Sequence, residues 1–289
     1  MSSSNALPVW IRERKLKLGD LHDVRSVMTR GGLHTVCDEA RCPNRSECFG
    51  RGTATFLIMG DVCTRSCRYC SIAHGRPRPL DPEEPANLVR AVRSMGLRHV
   101  VVTSVDRDDL ADGGAAHFAA VVSALRGLEP RPAVEVLTPD FRGDLAAVST
   151  VAAAGPDVYN HNVETVRRLY PQVRRQGRYE WAMEVVRHVA ASFPASVTKS
   201  GLMVGLGEEQ VEVEATLRDL ADAGCRVVTV GQYLQPTGRE AKVVRYWTPE
   251  EFARLEEYGR FLGIDVIAGP FVRSSYHAEE AFLRVGTRP

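Results

Sequence analysis

Between residues 53 and 270 two apolar patterns alternate along the chain. Short runs rich in β-branched residues predict strands over 53–60, 98–105, 133–140, 157–164, 196–207, 226–234 and 264–270. Longer stretches with apolar positions three and four apart predict helices over 81–96, 114–128, 144–155, 178–193, 208–224 and 248–263. In the first helix Leu88, Val89, Val92 and Met95 share one face, and Gly96 supplies a stop. The last helix opens on Thr248 and Glu251, spaced for a reciprocal capping box.

Strands alternating with helices of this length predict βα units and a parallel sheet. Six or seven units without an early G-x-G-x-x-G favour an α/β fold built as a partial or near-complete (β/α) barrel over a dinucleotide-binding sheet. The chemistry of such barrels gathers at the C-terminal ends of the strands. The polar residues predicted there are a cysteine loop after the first strand, Thr103 and Ser104 after the second, Asn160 and Glu164 after the fourth, and Gln232 and Tyr233 after the sixth. Residues 1–50 and 271–289 flank the barrel, 51–270, as N-terminal and C-terminal extensions.

With 44% apolar residues in 289, the chain buries a core without crosslinks. Basic and acidic residues nearly cancel, 37 against 36, so neither a nucleic-acid nor a membrane partner is expected. No apolar run approaches the ~20 residues that span a bilayer. The N-terminal segment is basic but lacks the apolar stretch of a secretory signal, and an organellar transit peptide is poorly supported. A cytoplasmic, reducing location is expected, where clustered thiols hold metal more often than they pair.

Six of the seven cysteines fall in two triads. Cys37, Cys42 and Cys48 form C-x4-C-x5-C, and Cys63, Cys67 and Cys70 form C-x3-C-x2-C. Cys225, between a helical pattern and an apolar run, reads as a small buried hydrophobe. Three thiols on one loop can hold three corners of a 4Fe-4S cluster and leave the fourth iron open. The competing reading is a zinc site that borrows His74, four residues beyond Cys70. Tyr69 before the last cysteine, the place of the loop after the first barrel strand, and the second triad upstream all weigh against zinc.

These features resemble the radical S-adenosylmethionine superfamily. The set "CDEARCPNRSEC" (37–48), "CTRSCRYC" (63–70), "TSVDRDDLADGG" (103–114), "YNHNVET" (159–165) and "VRSSYHAEE" (272–280) resembles the lipoyl synthase family in particular, in the family's order. The resemblance implies that Cys63, Cys67 and Cys70 hold a cluster whose open iron binds S-adenosyl-L-methionine for reductive cleavage to a 5′-deoxyadenosyl radical. It implies a second, auxiliary 4Fe-4S cluster on Cys37, Cys42 and Cys48, with Ser275 as an unusual, hard fourth ligand. The implied reaction inserts two sulfur atoms at C6 and C8 of a protein-bound octanoyl-lysine.

The same resemblance places Thr103 and Ser104 near the methionine amino group and Asn160 and Glu164 near the ribose. "GLMVGLGE" (201–208) falls near the adenine or methionine part. Arg273 either pins the C-terminal segment through a hydrogen-bonded charge or is solvated. Turn-closing roles are the plain alternative for each, and His34 and His161 receive no role. Implied partners are an octanoylated lipoyl domain or carrier, such as the glycine-cleavage H protein or E2 subunits of 2-oxoacid dehydrogenases. An electron donor such as flavodoxin or ferredoxin and an iron–sulfur carrier for cluster rebuilding complete the set. "PQVRRQGRYEWA" (171–182), with three arginines, is either a docking patch for an acidic carrier or a solvated face. Two rival functions are a methylthiotransferase-like enzyme, which usually adds an RNA-binding domain, and a non-catalytic iron–sulfur electron carrier.

Overall fold

The computed structural model describes residues 8–12, 33–35, 44, 52–275 and 278–286. Seven strands build the barrel: β1 (Thr53–Ile58), β2 (His99–Ser104), β3 (Ala133–Leu137), β4 (Val158–Asn160), β5 (Val197–Val204), β6 (Val227–Gln232) and β7 (Asp265–Gly269). Between them lie α1 (Glu84–Met95), α2 (Ala115–Arg126), α3 (Leu145–Ala153), α4 (Tyr179–Ser192), α5 (Gln210–Asp222) and α6 (Pro249–Leu262), and α7 (Ala278–Gly286) follows β7. Each predicted barrel strand and helix is present, trimmed by a few residues where polar turns take over. Neighbouring strands are all parallel in chain order, and β7 does not pair with β1, so the barrel is open. The two-residue strand His34–Thr35 runs antiparallel to β1 and covers part of that edge.

Local chemistry fixes the helix ends. Thr248 Oγ1 accepts from the Glu251 N–H, and the Glu251 carboxylate accepts from the Thr248 N–H at 2.7 Å, closing the expected capping box. Gly96 ends α1 in the left-handed conformation that a Cβ disfavours. Asp144 caps α3 through the Ala146 and Ala147 N–H groups.

The two faces of the sheet differ in kind. Alternate strand residues Ala54, Phe56, Ile58, Val100, Val102, Val134 and Val136 point outward and form one core with α1, α2 and α3. A second core on the other half joins α4, α5 and α6 around Leu202, Val204, Val228 and Trp247, and Cys225 is buried in it as expected. The inner face instead carries Thr55, His99, Thr103, Glu135, Asn160, Lys199 and Thr229, all buried.

The C-terminal segment helps fill that polar interior. Gly231 makes room for it: a Cβ there would lie 2.1 Å from the Val272 carbonyl oxygen. Ser274 then meets β4, and α7 reaches the N-terminal ends of the strands. There Ala281 and Phe282 pack with Val158, Val197 and Val227. Residues 272–275 thus lie against the inner face of the barrel.

Candidate active site at the C-terminal ends of the strands

The chain leaves β1 through a sharp turn, with Met59 and Gly60 both at positive φ. Glu84 pins that turn by accepting from the Met59 N–H, and His117 Nε2 lies 2.6 Å from the same carboxylate. The cysteine loop then closes on itself through the short parallel pair Val62–Cys63 and Ala73–His74. Cys63, Cys67 and Cys70 all line a cavity of about 930 Å³ at the mouth of the barrel, and none is in a disulfide. Burial pushes the thiols up, Cys63 to about 11, Cys67 to about 12 and Cys70 to about 11. Each therefore keeps its proton at neutral pH until a cation compensates the thiolate, so metal binding here releases protons.

A buried charge cluster holds the loop in place. Arg65, between Cys63 and Cys67, has no exposed side-chain surface. Its Nε and Nη2 reach both oxygens of Asp108 at 2.7 and 2.8 Å, and its Nη1 and Nη2 reach both oxygens of Asp140 at 3.0 and 2.8 Å. Asp106 lies 3.3 Å from Nη1, and Arg174 meets Asp140 at 3.2 Å. Burial opposes charge on Asp140, but Arg174 and Arg65 overcome it and hold the carboxyl down to about 2. Burial wins at Asp106, whose pKa is raised despite both arginines. The Arg65 and Asp106 backbone N–H groups point at Cys63 Sγ, at 3.4 and 3.3 Å.

A second network joins this loop to the C-terminal segment. Glu164 sits in the left-handed region, φ 67°, fastened by its N–H to the Gly201 carbonyl and by its own carbonyl to the Met203 N–H. Its carboxyl is hydrogen-bonded by Tyr69 and Asn162, and burial raises its pKa. Asn162 Oδ1 accepts from Ser274 Oγ at 2.6 Å, and Asn160 Nδ2 donates to the same Ser274 oxygen at 3.2 Å. Asn160 Nδ2 also reaches Glu135 at 3.0 Å, and Lys199 Nζ meets that carboxylate at 2.9 and 3.1 Å. Although burial favours the acid form, Lys199 and His99 keep Glu135 at about 2. Gly201 leaves space for this junction: a Cβ would sit 2.8 Å from Asn162 Oδ1 and 3.3 Å from Ser274 Oγ.

The cavity gathers Thr103, Ser104, Glu164, Arg273 and Ser275 with the three thiols. Thr103 Oγ1 is already committed to the Leu137 carbonyl, whereas Ser104 Oγ is buried without a partner. Ser275 Oγ accepts from Thr55 Oγ1 at 2.9 Å, and Arg273 Nη1 donates to the Val272 carbonyl. Asn160 does not reach the cavity; it is fully buried beneath it, and His161 and Asn162 line the wall instead. Gly201, Leu202 and Met203 line the cavity as the 201–208 stretch suggested, but Gly205 and Gly207 form a turn behind it, bonded to Glu208. Cys37, Cys42 and Cys48 lie outside the described residues.

Sequence reading missed Arg65, Asp106, Asp108, Asp140 and Arg174. An arginine between two cysteines followed by a D-x-D-D run was the available signal. The three-arginine stretch 171–182 is split: Arg174 is buried against Asp140, Arg178 stacks on Trp181, and Arg175 stays exposed.

Comparison with known proteins decides the family. The Radical SAM superfamily profile matches residues 57–220. The lipoyl synthase of Thioalkalivibrio sulfidiphilus is 52% identical over 280 residues, covering 96% of this chain and 88% of that protein. The chain belongs to the lipoyl synthase family. A lipoyl synthase of Xylella fastidiosa is likewise 52% identical, over 96% of this chain and 76% of the relative. The crystal structure of methylornithine synthase (PylB) shares the fold, with a TM-score of 0.54 over 89% of this chain and 83% of that one at 15% identity. For a lipoyl synthase, three free thiols on one loop bordering the cavity are the donor chemistry that a 4Fe-4S cluster requires.

Proposed function

We propose that this chain inserts two sulfur atoms, at C6 and C8, into an octanoyl group carried in amide linkage by a lysine of a partner protein. The observation that carries the reading is three unpaired thiols on one loop, lining a cavity that Ser275 also lines. Cys63, Cys67 and Cys70 hold one 4Fe-4S cluster. Cys37, Cys42 and Cys48, with Ser275, hold the auxiliary cluster that supplies the sulfur. Bound there, the two clusters and S-adenosyl-L-methionine supply the radical and sulfur chemistry that no side chain can provide at an unactivated carbon.

The protein's own groups position and exclude. Arg65 and its aspartates fix the loop, so the thiols meet the cluster in one geometry. Ser104 Oγ, buried without a partner and bordering the cavity, is placed to accept from the ammonium of S-adenosyl-L-methionine. Glu164, held by its strained backbone, faces the ribose with Asn162. Thr103 lines the same cavity while its hydroxyl donates to the Leu137 carbonyl. Ser274, bonded to Asn160 and Asn162, and Thr55 hold Ser275 in the cavity lining, where it would serve as the fourth ligand of the auxiliary cluster.

The acyl carriers are the glycine-cleavage H protein and E2 lipoyl domains. Flavodoxin or ferredoxin supplies electrons, and an iron–sulfur carrier rebuilds the spent cluster. The cytoplasm, which keeps clustered thiols reduced, is the location. No helix among the described residues is long and apolar enough to cross a membrane.

Anaerobic incubation with an octanoyl-lysyl domain, reductant and S-adenosyl-L-methionine tests the reading. Mass spectrometry should find two sulfur atoms gained per octanoyl group, with 5′-deoxyadenosine formed. Deoxyadenosine without any sulfur gain would assign a different radical reaction; neither product would end the radical reading.

A further inference from the structure

We propose that the outer face of the cysteine loop is the docking site of an acidic one-electron donor protein, contacted by Arg68, Arg175 and Lys242. The inference rests on the radical reading above, which consumes one electron for each S-adenosyl-L-methionine cleaved.

Arg68 stands between Cys67 and Cys70. Its N–H donates to the Val173 carbonyl at 3.0 Å, and its carbonyl accepts from the Ala241 N–H at 2.7 Å. Those two bonds clamp the loop between two further segments. They bring Arg175, two residues past Val173, and Lys242, next to Ala241, to the same place on the surface. All three side chains are exposed, and none makes an ion pair among the described residues.

Exposed cations without an ion pair also occur elsewhere among the described residues, Arg78, Arg93 and Arg187 being examples; here three of them sit on segments joined by those two bonds. The acidic residue of the same stretch, Glu240, turns its carboxylate to the Thr237 N–H and hydroxyl at 2.8 Å each. Three unmatched cations on one rigid surface favour an acidic partner and speed its approach.

The position selects an electron donor over the acyl carrier. Arg68 stands at the rim of the cavity that the acyl chain must enter, whereas Arg175 and Lys242 lie outside its lining. Arg68 is one and two residues from ligand thiols, so a protein touching it comes within about two Cα spacings, ~8 Å, of them. Each docking event passes one electron from the donor's reduced group to the site on Cys63, Cys67 and Cys70. The donor is oxidised by one electron, and no bond forms or breaks.

The test compares the cluster-loaded enzyme with its R175E/K242E and R68E/R175E/K242E variants. The double variant leaves the loop sequence intact should R68E disturb it. Calorimetry with flavodoxin should show affinity falling tenfold or more in both variants, with the salt dependence of binding reduced. The flavodoxin concentration giving half-maximal 5′-deoxyadenosine formation should rise to match. Cleavage driven by dithionite, which needs no docking, should stay within twofold of the parent in R175E/K242E.

Unchanged flavodoxin affinity in both variants would overturn the proposal. So would a raised half-saturation for the octanoylated domain with flavodoxin unaffected, which would assign the patch to the acyl carrier. Absence of dithionite-driven cleavage in the parent enzyme would instead overturn the radical reading, and the docking role with it.

Discussion

Replacing Arg65 with methionine keeps most of the side-chain volume and removes the charge at the centre of the loop anchor. In the parent, Arg65 and Arg174 face three carboxylates, Asp106, Asp108 and Asp140. After the change one cation faces all three. Asp108 is 27% exposed and can rehydrate, whereas Asp140, at 1%, cannot. Stranding one buried carboxylate costs roughly 3–5 kcal/mol. Lysine restores the charge but not the two bidentate contacts, so Arg65→Lys should recover only part, about half of that loss.

Urea unfolding under anaerobic reducing conditions reads both variants as a fall in midpoint at constant slope. The pH dependence supplies a second signature. Asp140 has a depressed folded pKa, about 2, so its contribution is complete above the ordinary carboxylate value and is lost as pH falls toward 2. Without Arg65 that depression shrinks, so stability falls less steeply between about pH 4 and pH 2. A methionine variant within 1 kcal/mol of the parent, or an unchanged acid limb, would refute the anchor.

Gly201→Ala would push a methyl group against Asn162 and Ser274, costing about 1–3 kcal/mol. It should depress sulfur insertion more than deoxyadenosine formation, both measured in one turnover assay. Lys199→Met strands Glu135 and should cost roughly 3–5 kcal/mol. The K199M/E135L double variant should be more stable than K199M alone by urea unfolding. His161, whose Nδ1 donates to the Thr138 carbonyl, is held neutral mainly by burial, with its pKa pushed down to about 4 from 6.5. The unfolded chain therefore binds more protons between those values, and stability should fall by about 3 kcal/mol on going from pH 6.5 to 4. His161→Gln should flatten that slope.

Much of the barrel was legible because outward strand positions and the inner faces of α1 to α6 share one apolar pattern. Spacing marked the thiol loop as a metal site, but preferring a cluster to zinc needed Tyr69, the loop's place after the first strand and the second triad. The inner face was not, because Glu135, Lys199 and His99 are polar residues in runs that otherwise read as plain strands. Only the assembled barrel brings them together. Asn160 and Asn162 show the same limit: two residues apart, they lie below and beside the cavity, as the pleat at the end of β4 dictates. The entry of residues 272–275 into the barrel depends on missing side chains at Gly201 and Gly231, which no apolar pattern marks.

The inserted sulfur comes from the enzyme's own auxiliary cluster. Enzyme reconstituted with heavy-isotope sulfide should, in one anaerobic turnover, give a dihydrolipoyl product carrying heavy sulfur at both carbons, and Ser275→Ala should abolish that product while S-adenosyl-L-methionine is still cleaved. Product bearing sulfur of natural mass from the medium, or unchanged yield in the serine variant, would contradict it.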